Sequence, residues 1–66
     1  MAVKNRLREI RHEMMIDKQV EMAELLGLTR HQYNRYEKQY TQPTLETALE
    51  IAEKINRKVE DIFYTE

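Results

Sequence analysis

A chain of 66 residues makes one domain, residues 1–66, close to the smallest size at which a single core holds without staples. With no cysteine, no serine and two isolated histidines, His12 and His31, it offers no disulfide, no Ser or Cys nucleophile and a poor start for a metal site, so no cofactor is expected. The net charge of −1 counts against a polyanion partner, but it is uneven: residues 1–44 hold eight Lys and Arg against six Asp and Glu, residues 45–66 three against six.

No apolar run approaches the roughly 20 residues of a membrane span and no apolar leader opens the chain, so no membrane role is expected. The absence of cysteine suits a reducing cytoplasm. One glycine and one proline among 35% charged residues predict an all-α domain of short helices. Val3, Leu7, Ile10 and Met14 recur at helical spacing and predict a first helix, with Lys4, Arg6, Arg8 and Arg11 off its apolar face. Asp17 is the expected N-cap of a second helix whose apolar surface is Met22, Ala23, Leu25 and Leu26. Gly27 ends it, since a glycine accepts the left-handed conformation at the residue after a helix.

Thr29 followed three residues later by Gln32 is a capping box, and Leu28 before it can staple onto Tyr33. A third helix therefore starts here, burying Tyr33 and Tyr36 and leaving Arg30, His31, Gln32, Asn34, Arg35 and Lys38 outside. A polar connection, Gln39–Gln42, is closed by Pro43. Thr44 caps a fourth helix with Leu45, Ala48, Leu49, Ala52 and Ile55 on its apolar face, and Asn56 can end it. Val59, Ile62 and Phe63 suggest a short fifth helix.

The second helix, the Gly27-Leu28-Thr29 turn and the third helix have the helix-turn-helix pattern, with the small Ala23 where the two helices cross. From Gln19 to Phe63 the chain resembles the Cro/CI-type (XRE) repressors, small five-helix, lambda-repressor-like domains. The resemblance rests on Gln19, Ala23, Gly27, Leu28 and Thr29, then Arg35-Tyr36-Glu37, Pro43-Thr44-Leu45-Glu46, Ala48 to Ala52 and Val59 to Phe63. There are three departures. The connection before Gln19 is one residue longer, so either Lys18 or Gln19 takes the first-turn site. Gln39 and Asn56 stand where the family commonly has glycine.

The resemblance implies a recognition helix that enters the major groove N-terminus first. Arg30, His31, Gln32, Asn34 and Arg35 are then the candidates for base edges, since arginine grips guanine and an amide grips adenine through paired bonds. Lys18, Gln19, Thr29, Lys38, Tyr40, Thr41 and Gln42 are the candidates for the DNA backbone. In the family an arginine and a glutamate at the positions of Arg11 and Glu37 pair, so a structural ion pair is expected. The function implied is a DNA-binding transcription regulator, a repressor working as a homodimer on an inverted repeat, with Val59 and Tyr64 the candidates for the mate. The alternative is the same fold acting on a protein partner, as an antitoxin or anti-repressor. A solvated polar face on helix 3, and tyrosines and methionines that merely fill a core, are the plain alternatives for the residues themselves. Catalysis is not expected.

Overall fold

The computed structural model describes residues 1–66. In chain order the elements are β1 (Val3–Asn5), α1 (Leu7–Glu13), α2 (Gln19–Leu26), α3 (Arg30–Glu37), α4 (Leu45–Lys54), α5 (Val59–Ile62) and β2 (Phe63–Thr65). The expected five-helix architecture is present, with one addition: β1 and β2 pair antiparallel in a two-stranded sheet, Val3 opposite Thr65, Lys4 opposite Tyr64 and Asn5 opposite Phe63. The core consists of Leu7 and Ile10 from α1, Met22, Ala23 and Leu26 from α2, Tyr33 from α3, Ile51 and Ala52 from α4 and Ile62 from α5.

The first four helices end in one motif. The residue after each C-cap turn is left-handed, at Met15 (φ 59°), Gly27 (φ 71°), Gln39 (φ 66°) and Asn56 (φ 54°). The amide of the next residue reaches back five positions, Ile16 to Arg11, Leu28 to Ala23, Tyr40 to Arg35 and Arg57 to Ala52. These are Schellman caps, which satisfy carbonyls that a helix end otherwise leaves open. Only one of the four uses glycine. At Gly27 a Cβ would lie 2.7 Å from Lys54 Nζ, which donates to the Leu26 carbonyl at 3.0 Å. The glycine thus meets both a left-handed backbone and the close passage of a second capping group.

Gln39 tolerates the left-handed region, a cost of about 1–2 kcal/mol for a residue with a Cβ, in a setting that uses its side chain. The Asn5 backbone N–H donates to Gln39 Oε1 at 3.1 Å, and Gln39 Nε2 donates to the Asn5 carbonyl at 2.8 Å. The side-chain amide therefore pairs with β1 as a third strand would. Asn5 Nδ2 donates to the Tyr36 carbonyl at 2.8 Å and to Gln42 Oε1 at 2.9 Å, and Gln42 Nε2 donates to Gln39 Oε1. Asn5 Oδ1 accepts from the Leu7 amide that opens α1. A buried asparagine thus ties the first strand to the end of α3.

Five sequence expectations are corrected. Val3, Lys4 and Arg6 precede α1 rather than belonging to it; strand pairing with the far end of the chain overrides a spacing that continues into the helix by coincidence. The N-cap of α2 is Lys18, with no side-chain capping bond, and Asp17 instead gives its carbonyl to Arg11. On α4 the buried residues are Ala48, Ile51 and Ala52, while Leu45 is 73% and Leu49 50% exposed; Leu25 on α2 is also exposed. Phe63 begins β2 instead of ending α5. We expect Asn5→Ala to cost about 1–3 kcal/mol, since it leaves the Tyr36 carbonyl and the Gln39–Gln42 amides short of a partner. Urea unfolding with an unchanged denaturant slope checks it.

Candidate nucleic-acid interface

The turn between α2 and α3 is set by local chemistry. Thr29 is extended, its Oγ1 accepts from the Gln32 amide at 3.1 Å, and Gln32 Oε1 accepts from the Thr29 amide at 3.2 Å. That capping box starts α3 directly after the glycine turn. The fully buried Tyr33 turns α3's inner face to the core, with Tyr36 packed against its edge.

The outer face carries Arg30, His31, Asn34 and Lys38, which line one concavity of about 520 Å³. Their spacing keeps them on one side of the helix. Gln32 is exposed but turned back into the cap, and neither it nor the half-buried Arg35 lines this hollow. A neighbouring hollow is lined by Arg8, Arg11, Gln19, Glu37 and Lys38, another by Lys18, Gln19, Val20 and Arg30. Shared Lys38, Gln19 and Arg30 join the three into a trough whose one acid is Glu37. Tyr40 and Thr41 are exposed on the loop beyond it, and Gln42 is engaged with Asn5 and Gln39. Arg8 is the residue the sequence reading passed over; its place off the apolar face of α1 was legible, but its adjacency to Lys38 depends on how α1 packs.

Beneath the trough Arg11 and Glu37 form a two-bonded pair, Nε to Oε2 at 3.0 Å and Nη2 to Oε1 at 2.9 Å, with side chains 8% and 4% exposed. Arg11 Nη1 also donates to the carbonyls of Ile16 and Asp17. Gln19 Nε2 donates to Glu37 Oε1 at 3.3 Å, and Gln19 Oε1 accepts from Asn34 Nδ2 at 2.9 Å. A chain of bonds therefore runs from α1 through Glu37 and Gln19 to Asn34 in the trough, holding the asparagine amide by one donor and leaving its oxygen free. Burial alone would push the Glu37 carboxyl up, but hydrogen bonding from Arg11, with Gln19 adding to it, holds it below the usual carboxylate range. Burial pushes the Tyr33 phenol up, and Glu37 beside it adds to the shift. Its hydroxyl meets no hydrogen-bond geometry, so the influence of Glu37 on it is one of charge and proximity.

A helix-turn-helix family model matches residues 7–62. The chain belongs to the Cro/CI-type (XRE) helix-turn-helix family. As a family of DNA-binding transcription regulators, and not of enzymes, it accounts for a cationic trough on the outer face of α3. The match runs from the first residue of α1 to the last of α5, so both strands lie outside it. No curated protein matches this helix-turn-helix chain. No group of three His, Asp or Glu side chains stands ready to hold a metal ion, and no helix is long and apolar enough to cross a membrane.

The depressed Glu37 carboxyl gives a pH dependence with a definite sign. The unfolded chain binds this proton more readily, so the pair's stabilisation is complete above the ordinary carboxylate pKa of about 4.3 and is lost as pH falls through the native value. We expect Glu37→Gln to cost about 3–5 kcal/mol at pH 7 by leaving Arg11 charged and unpaired. The gap to wild type should narrow as pH drops below about 4, as followed by thermal unfolding across pH.

Proposed function

We propose that this regulator is a repressor that binds an inverted-repeat operator as a homodimer, with α3 in the major groove. The observation that carries the reading is the trough, in which arginine, lysine and amide groups from α1, α2 and α3 converge with one paired acid. Arg30, His31 and Asn34 meet base edges, with Gln32 and Arg35 at the margins of the same helix. Lys18, Gln19, Thr29 and Lys38 take phosphates, as do Tyr40, Thr41 and Gln42 along the loop. Gln42 has one amide proton left to donate once its bond to Gln39 is counted.

The expected pairing residues, Val59 and Tyr64, are both half-buried: Val59 packs on the core and the Tyr64 ring lies under Arg6. Leu45 and Leu49 offer more free apolar area, one turn apart on α4. They follow the loop from α3 and line none of the trough's hollows, so a mate seated on them would leave the outer face of α3 free for DNA. The same leucines would serve a protein partner if the molecule were an antitoxin or anti-repressor.

Binding to selected and random duplexes across salt tests the reading. Arg30→Ala should cost about 1–3 kcal/mol on the selected site and relax one base position. Lys38→Ala should weaken all duplexes alike and lower the salt slope by about one. Equal losses on selected and random DNA for Arg30→Ala would remove it from base reading. For the dimer, Leu49→Asp should leave the fold intact at this half-exposed position and abolish self-association in sedimentation, with operator affinity falling in step. Unchanged sedimentation would move the mate elsewhere.

A further inference from the structure

The family match begins at Leu7, and the cationic surface runs from Arg8 inside it to Arg6 just outside. Arg8 borders the trough beside Lys38 and Gln19. On its other side it borders a further open concavity of about 450 Å³, formed with Asn5, Arg6, Glu9, His12 and Tyr64. The Arg6 guanidinium carbon stands 4.2 Å from the centroid of the Tyr64 ring. That ring is set by β2, where Tyr64 is paired with Lys4 of β1. The stack fixes the guanidinium without neutralising it, and its planar fork remains open to an anion.

Neither Arg6 nor Arg8 has a carboxylate partner, since the ion pairs of the molecule are Arg11–Glu37 and Arg57–Glu13. Glu9 is the one acid of this concavity and stands against two arginines and His12. Two exposed arginines beside each other, unpaired and continuous with the trough, repel one another, and a polyanion relieves that repulsion. The concavity's two open arginines sit on the first turn of α1 and just before it, off the helix that enters the groove, so what they recognise is backbone.

We propose that Arg6 and Arg8 form a second backbone station, which holds phosphates of the flanking duplex beyond the half-site occupied by α3. This rests on the DNA reading above and adds to it a contact made by the first turn of α1 and by Arg6 just before it, the latter outside the family match and held by Tyr64 of β2. Arg8 meets the phosphate nearer the trough, and Arg6, aimed by Tyr64, the one beyond. The contact is indifferent to sequence and lengthens the footprint on each side of the operator.

The test uses the full chain on two duplexes with the same selected site, one ending at its edges and one extended on both sides. Wild type should bind the extended duplex several-fold more tightly. Arg8→Gln, which removes no internal bond, should lose most of that gain and lower the salt slope on the extended duplex by about one, and the Arg6→Gln/Arg8→Gln variant by about two. On the trimmed duplex Arg6→Gln alone should match wild type while it loses part of the flank gain on the extended one, and the selected bases should not change in any variant. Equal losses of Arg6→Gln on both duplexes, an unchanged slope or altered base preference would overturn the station. Salt-sensitive wild-type binding with no gain from flanks would overturn it while leaving the DNA reading standing. No salt-sensitive binding to any duplex would overturn both.

Discussion

The buried pair of Arg11 and Glu37 is the contact on which the rest of the molecule is hung. Arginine supplies several donors in a plane, and here they are spent on three groups at once: the carboxylate at the end of α3 and the two carbonyls of the turn into α2. Because ions taken out of water cost several kcal/mol each, such a pair is tolerated only when nearly every hydrogen-bonding site is filled, and Gln19 fills another. The same glutamine then holds Asn34, so the desolvated pair and the exposed side chain beside it belong to one bonded series. The pair thereby fixes more than helix packing: it fixes the rotation of α3 about its own axis, and with that the direction in which its outer residues face.

Net charge misleads for this chain because its acids and bases occupy different surfaces. Of the glutamates on α4, Glu46, Glu50 and Glu53 are all exposed, and none lines the trough. The cations of α1, α2 and α3 converge on the opposite business of the molecule, with Glu37 already neutralised by Arg11. At physiological salt, fields fade over about 8 Å, so a surface of this size can be acidic in one place and attract a polyanion in another.

What was legible in the sequence was what is written locally. The capping box at Thr29 and Gln32, the glycine at Gly27 and the apolar spacing of Tyr33 and Tyr36 are decided within a few residues, and they place α2, the turn and α3. The sheet was not legible, because Val3 to Asn5 reads as a strand only once Phe63 to Thr65 lies beside it. Leu45 and Leu49 fit the apolar spacing of α4 as well as Ile51 does; which stripe is buried depends on where α2 and α5 press against it. For the site, the identities on α3 were apparent from the helix-turn-helix pattern. The coupling of Asn34 to Gln19, the engagement of Gln42 by Asn5 and the position of Arg8 beside Lys38 all required the third dimension.

The antiparallel pairing of β1 with β2 has a mechanical consequence. Ala2 and Glu66 bond to each other through both backbone groups, so a force applied at the two ends loads one rung of the ladder at a time and opens it as a zipper rather than in shear. The sheet is therefore the first part to give way under tension. As it opens, Asn5 is drawn away from Gln39 and Gln42, and the loop after α3 loses its tether while the buried pair still holds the helices. The strand pair is thus a tether on the loop after α3 that is bonded separately from the helical core.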